Sequence, residues 1–332
     1  MAHILQLRLF GTPAILLNGK PAEGFVTRKA LALFIYIATS RHVHLRDKLA
    51  SLFWRDVAEQ QAKNSLRRVL PNLRQLVGYH LIIDRQSIGL DERQPVESDV
   101  ETLRRAVAAL PALSLQAQNG WEQVNLPQLE NALALYQGDF LDGFYVDDAP
   151  AFEEWVSLQR EELRELALRG FTFLAEYYLT QNNYQAGLAT TQRLLTIEPW
   201  YETGHHQRML LFARSGQRVE ALAQYETCRA FLANEFRLQP STAMTALYEQ
   251  IKAETYVSEH AAVAPVVLRQ PIVHPTPSPI AETPALALPK MEPHSPASTP
   301  QTNASRQPFT QKIDWGEMPR PSFFAGRQAE LH

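Results

Sequence analysis

A single cysteine, Cys228, in 332 residues excludes an internal disulfide framework and suits a reducing cytoplasm. No run approaches the roughly 18 apolar residues that a membrane span needs, so no membrane partner is expected. The N-terminus lacks a basic segment followed by an apolar one, which argues against secretion and for a cytoplasmic location. Neither G-x-x-x-x-G-K-[ST] nor G-x-G-x-x-G occurs, so no nucleotide cofactor is expected. H-E-x-x-H and C-x-x-C are also missing. His205 and His206 are adjacent, and on a helix they would point about 100° apart, too far to share a metal. His42 and His44 flank Val43 near a helix start, where a surface or capping role is expected. The lone cysteine has no evident activating partner. No cofactor, metal or catalytic residue is therefore expected, and the chain does not read as an enzyme.

A hydrophobic content of 45% supports at least one sizeable core, and the length suits two or three domains. The net charge of -3 hides an asymmetry. Residues 1–95 hold 14 Lys and Arg against 7 Asp and Glu, whereas residues 96–256 hold 12 against 22. A nucleic-acid-binding head on a protein-binding body would show this pattern.

The stretch Ala58 to Val77, AEQQAKNSLRRVLPNLRQLV, organises the chain. Read as a helix, it places Leu66, Val69, Leu70, Leu73, Leu76 and Val77 on one stripe. The opposite side carries Gln61, Asn64, Arg68, Pro71 and Gln75, with Arg67, Asn72 and Arg74 on the flanks. That face has cations and amides but no carboxylate, whereas an ordinary solvated face mixes both signs. Arg and Asn are the side chains that read guanine and adenine edges in a major groove. Pro71 removes the hydrogen bond to residue 67 and clashes with its carbonyl, so a kink is expected there.

Around this helix the chain reads in order. His3 to Leu17 gives short strands broken at Gly11-Thr12-Pro13, and Asn18-Gly19 signals a hairpin turn. Thr27 to Thr39 is a buried helix with Thr27 as N-cap. Arg28 and Lys29 sit in its first turn, where the dipole disfavours cations and a phosphate would offset the cost. His44 to Trp54 reads as a second helix, with Leu45, Leu49, Leu52 and Phe53 inward. Leu81 to Leu90, LIIDRQSIGL, is a hairpin with Arg85 at its tip. Strands, three helices and a hairpin are the order of a winged helix-turn-helix. These pieces, LRLFG, TRKALALFIYIAT, LRDKLASLFW, NSLRRVLPNLRQLVG and LIIDRQSIGL, resemble the OmpR-type winged helix that opens the antibiotic-regulatory-protein (SARP) family of bacterial activators.

From Glu97 a new region begins, capped by Ser98 or Asp99. Pro111 to Asn119 reads as an irregular insertion, Gln128 to Tyr136 as a short helix, and Phe152 to Tyr178 as a long helical stretch broken near Gly170. Phe171, Leu174, Ala175, Tyr178 and Pro199 fall at tetratricopeptide spacing. Gly187 stands where two helices must approach, and Ala221, Tyr225 and Cys228 match a second copy about 34 residues on. Ser241 to Glu254 is a further helix. ALALYQGDFLDGF, EEWVSLQREELRELAL, YQAGLATTQRLLTIEPWYE and GQRVEALAQYETCRAFLANEFRLQPS resemble the bacterial transcriptional activator domain that follows the winged helix in SARP proteins. Residues 257–332 contain 13 of the 22 prolines and read as an extended linker. PSFFAGRQAELH looks like the box that opens the nucleotide-binding module of large STAND-type regulators, so the chain reads as the N-terminal part of such a protein.

The expected fold is mainly α with a small β part. A winged helix-turn-helix with an N-terminal sheet and wing (1–95) precedes an all-α, tetratricopeptide-like helical repeat domain (96–256). A Pro-rich disordered linker (257–320) and the start of a truncated NTPase module (321–332) follow. The expected function is sequence-specific DNA binding through Asn64, Ser65, Arg67 and Arg68, extended by Asn72, Arg74 and Gln75. Arg85 serves the wing, and Arg28 and Lys29 are candidates for phosphate. The resemblance implies binding of promoter direct repeats as a pair and recruitment of RNA polymerase. A protein-interaction adaptor built on the helical repeats, or the regulatory front end of an ATP-dependent switch, stands as the alternative.

Overall fold

Alternation of buried and exposed residues lets the first strands bury one face and pair. The computed structural model describes residues 4–111 and 124–253, which pack as one unit. Strand β1 (Leu5–Arg8) pairs antiparallel with β2 (Ala14–Leu17), Leu5 opposite Leu17, and β2 pairs with the two-residue β3 (Lys20–Pro21). Asn18 and Gly19 between them take φ of 53° and 78°, as a two-residue hairpin turn requires. Helix α1 (Arg28–Ser40) starts at Thr27, whose hydroxyl accepts the Ala30 N–H at 3.1 Å.

The second helix is shorter than its hydrophobic spacing suggests. His44–Leu45 form strand β4, and α2 runs only over Arg46–Phe53. Pairing decides this: His44 sits opposite Ile88 and Leu45 opposite Ser87, so a sheet claims the two residues that would open the helix. Leu45 therefore points outward at 57% exposure, while Leu49 and Phe53 are buried as expected. Helix α3 (Glu59–Val77) follows, then a 3-10 turn at Gly78–His80 and the hairpin of β5 (Leu81–Ile83) and β6 (Ser87–Leu90). Helix α3 is continuous through Pro71, against the expected division. Leu66, Leu70, Leu73 and Val77 anchor it to the core on both sides of the proline. Arg67 and Pro71 are both exposed, so water can take the one lost hydrogen bond.

Strand β7 (Val96–Ser98) lies parallel to β1 and completes a four-stranded sheet in the order β3-β2-β1-β7, so the head's sheet extends past residue 95. The helical body then runs α4 (Asp99–Ala108), α5 (Leu126–Leu135), α6 (Pro150–Thr180), α7 (Tyr184–Ile197), α8 (Glu202–Arg214), α9 (Arg218–Phe231) and α10 (Thr242–Lys252). Ser98 caps α4 by accepting the Glu101 N–H. Helix α6 is unbroken at Gly170. That glycine is buried, and a Cβ there would lie 2.9 Å from Leu133 and 3.3 Å from Val107, so it admits α4 and α5 rather than ending a helix.

Head and body share one core. The Phe53 ring lies 5.3 Å from Phe152, and Tyr36 lies 4.8 Å from Trp155. Burying a side chain of that size stabilises by about 1.5–3 kcal/mol. A second cluster gathers Met209, Ala221, Tyr225, Cys228, Met244 and Leu247 under α8 to α10. The Pro-rich tract, the 321–332 stub and most of the Pro111–Asn119 insertion lie outside the described residues.

Candidate nucleic-acid interface

The core fixes which side of α3 faces outward. Ala62, Leu66, Val69, Leu70, Leu73 and Val77 are buried, and Leu76 is half-buried. The remaining side exposes Gln61, Asn64, Arg67, Arg68, Pro71, Arg74 and Gln75, with Ser65 and Asn72 half-buried at its edges. The one carboxylate on the helix, Glu59, sits in the first turn, where the dipole favours it. Glu59 pairs at 2.6 Å with Lys63, which also reaches Asp47 at 3.2 Å and so ties α3 to α2. The hydrogen bond that Lys63 donates to Glu59, followed by the one it donates to Asp47, holds its ammonium above the ordinary pKa. Asn64 Oδ1 accepts from Arg67 Nη1 at 3.3 Å and from Gln60 Nε2 at 3.4 Å, which lines these side chains along one edge. Arg68 is exposed and carries no ion pair or hydrogen bond among the described residues.

Not every expected contact residue is directed outward. The Asn72 amide donates to the Gly24 carbonyl at 2.9 Å and accepts the Val26 N–H at 3.1 Å, so it fastens the loop before α1 to α3. Lys29 is only 12% exposed in its side chain. It pairs with Asp148 at 2.7 Å, donates to the Asp148 carbonyl at 3.0 Å and lies over the Trp54 ring. Arg28 is exposed and reaches the Tyr145 carbonyl at 3.5 Å. The two cations in the first turn of α1 thus face an acidic turn of the body.

The wing is built as its sequence suggests. β5 and β6 pair with Ile83 opposite Ile88, and Asp84, Arg85 and Gln86 form an exposed tip. Arg46, at the start of α2, holds that tip. Its backbone N–H donates to the Gln86 carbonyl at 2.8 Å, and its guanidinium donates to the carbonyls of Arg85 at 3.2 Å and Asp84 at 3.3 Å. Arg74 reaches the Ile83 carbonyl at 3.5 Å. Burial, and then the nearby Arg74 and Arg67 charges, push the Arg46 guanidinium below its ordinary pKa. Three cations therefore converge between α3 and the wing. This concentration of like charge costs free energy that an anion in the groove would recover.

Sequence reading passed over Arg46 and Arg55, the latter exposed in the turn between α2 and α3. The argument applied to Arg28 and Lys29, cations in the first turn of a helix, would have found Arg46 as well. Among the described residues no group of three or more His, Cys, Asp or Glu side chains is placed to hold a metal ion. None of the described helices is long and apolar enough to cross a membrane.

This chain is similar to known regulators. It is 22% identical over 267 residues to the transcriptional regulatory protein MoaR1 of Mycobacterium tuberculosis, covering 75% of this chain and 80% of that protein. The protein of the same name from Mycobacterium bovis matches with the same identity and coverage. Among solved structures, Mycobacterium tuberculosis EmbR in complex with a low-affinity phosphopeptide superposes with a TM-score of 0.59 at 21% identity. The match covers 75% of this chain and 65% of that one, and it establishes a shared fold. The family model of the bacterial transcriptional activator domain matches residues 98–252, from the cap of α4 to the end of α10.

Proposed function

We propose that the chain is a DNA-binding transcriptional activator whose helix α3 enters the major groove. The observation that carries this reading is the division of α3: one side is buried in the core, and the other exposes Asn64, Arg67, Arg68 and Gln75 with no carboxylate beyond the first turn. Asn64, Ser65, Arg67 and Arg68 approach bases or phosphates, and Arg74 and Gln75 extend the contact, because α3 runs unbroken past Pro71. Arg85 at the wing tip meets the backbone or minor groove, and Arg46 supports it from below. About half or more of such contacts go to phosphate and set register, not sequence. Asn72 and Lys29 act in this reading through the loops they fasten. The similarity to MoaR1 and the activator domain at 98–252 support a role in transcription. Binding of promoter repeats by two copies and recruitment of RNA polymerase by the helical body complete the proposal.

Footprinting of the full chain on the DNA upstream of its own gene, followed by gel-shift titration of Arg68→Ala on the protected site, tests it. Loss of about 1–3 kcal/mol of specific binding is expected if Arg68 reads a base. No protection, together with affinity that does not respond to salt, would show that the exposed face of α3 is not a DNA surface.

A further inference from the structure

The cleft between head and body joins groups of opposite sign. It holds about 440 Å³ and is lined on the head side by Arg28, Lys29 and Trp54 and by Ser65 and Arg68 of α3. On the body side it is lined by the turn Tyr145 to Asp148. Ser65 and Arg68 belong to the face assigned above to DNA, so this inference rests on that reading. Asp148 is committed to Lys29 at 2.7 Å, yet its side chain remains 76% exposed, and Asp147 beside it is also exposed. Phosphates that approach Arg68 therefore meet two carboxylates across the same cleft, while the nearest head lysine is already neutralised by one of them. Like charges within about a Debye length, ~10 Å at moderate salt, repel appreciably.

We infer that the acidic turn Asp147–Asp148 of the activator domain is a built-in brake on the DNA-binding face. It sequesters Lys29 and opposes the approach of phosphate to Arg68 and Ser65. Sequence-independent binding, which rests almost wholly on phosphate neutralisation, is suppressed most. Binding at a preferred site retains its base contacts and is suppressed less. The same turn is held by the pair of Asp148 with the largely buried Lys29, by the Arg28 contact with the Tyr145 carbonyl, and by the buried Val146, whose N–H donates to Glu153 at 2.8 Å. The two carboxylates are therefore fixed in position across the cleft from Arg68.

The test uses the full chain, a short fluorescein-labelled duplex of random sequence, and fluorescence anisotropy at low and at near-physiological salt. Asp147→Asn leaves the Lys29–Asp148 pair in place and should tighten binding by about two- to fivefold, and the Asp147→Asn/Asp148→Asn double variant by more. Both gains should shrink as salt is added. Thermal melting checks that each variant is folded, and Asp147→Asn alone decides the matter if the double variant is not. Salt-dependent binding by the wild type with no gain, or a loss, in Asp147→Asn overturns the brake and leaves the DNA-binding reading standing. Absence of binding by the wild type and both variants at low salt removes both.

Discussion

The carboxylate of Asp99 reaches back to accept the backbone N–H of Leu9 at 2.6 Å, ninety positions earlier in the chain. The same oxygen takes the Phe10 N–H at 3.0 Å, and the other oxygen takes the Val100 N–H at 2.7 Å. Asp99 thus opens the first helix of the body while closing the end of the first strand of the head. Around it the Gly11 N–H meets the Asp139 carbonyl and the Leu141 N–H meets the Leu9 carbonyl. This seam, together with the rings of Phe53 and Phe152, makes head and body one folded unit.

Replacement of Asp99 by Ala leaves buried N–H groups of Leu9 and Phe10 without an acceptor. Each orphaned donor costs about 1–3 kcal/mol, so a loss of about 2–4 kcal/mol is expected, given partial relaxation. Urea denaturation should show a lower midpoint at unchanged slope. A single transition is also expected. Separate melting of head and body in the wild type would contradict the shared core.

The elements of the candidate site were largely legible. The stripe from Leu66 to Val77, the Thr27 cap and the Leu81–Leu90 hairpin follow from spacing and turn chemistry acting locally. What was not legible depends on partners distant in the chain. His44 and Leu45 fit a helical pattern until Ile88 and Ser87 pair with them. Gly170 reads as a helix breaker until Leu133 and Val107 are seen against it. Asn72 reads as a flank of the basic face of α3, and Lys29 as a first-turn cation open to phosphate. Only the fold shows that Gly24, Val26 and Asp148 already engage them. The same limit hid Arg46, whose guanidinium matters because the wing folds back over it.

Gly187 offers a direct check of the close approach between α7 and α8. A Cβ at this position would lie 2.5 Å from a methyl of the buried Leu211. Overpacking of this kind costs about 1–3 kcal/mol, and the better helix propensity of alanine returns up to about 1. Gly187→Ala should therefore destabilise by about 1–2 kcal/mol in chemical denaturation. A gain in stability would show that Leu211 has room to move and that the glycine is not there for packing.

The histidines of α8 contribute to the acid response. Nε2 of His205 faces the Pro199 carbonyl at 2.8 Å and Nδ1 faces the Gln224 amide, so the ring is neutral with both nitrogens engaged. Burial pushes its pKa below the ordinary value, with the nearby Arg208 charge in the same sense and the Pro199 carbonyl and Glu202 opposing. Burial lowers His206 as well, against Glu176 and Glu202. The unfolded chain therefore binds protons first as pH falls below about 6.5, and stability declines on the acid side. Asp99 and Glu198, whose carboxyls burial pushes up, act in the opposite sense. Comparison of wild type with His205→Gln cancels those contributions. The fall in denaturant midpoint between about pH 7.5 and 5.5 should be smaller in the variant. An equal fall in both proteins would show that the His205 pKa is the same in the folded and the unfolded chain.

The wing separates charge from support. Arg85 is exposed at the tip, while Arg46 holds the tip's carbonyls and is partly buried. If the wing meets the DNA backbone, Arg85→Ala removes one neutralised phosphate and nothing structural. Affinity should then fall evenly across sequences, the salt slope should drop by about 1, and stability should not change. Arg46→Ala removes the side-chain bonds that fix the tip. It should lower folding stability by about 1 kcal/mol and also weaken DNA binding, because a wing free to move must be ordered on contact. Titrations at several salt concentrations, paired with denaturation curves, distinguish the two effects. A wild-type salt slope in Arg85→Ala would place the tip away from phosphate. A stability loss in Arg85→Ala equal to that in Arg46→Ala would mean that the tip arginine, too, is structural.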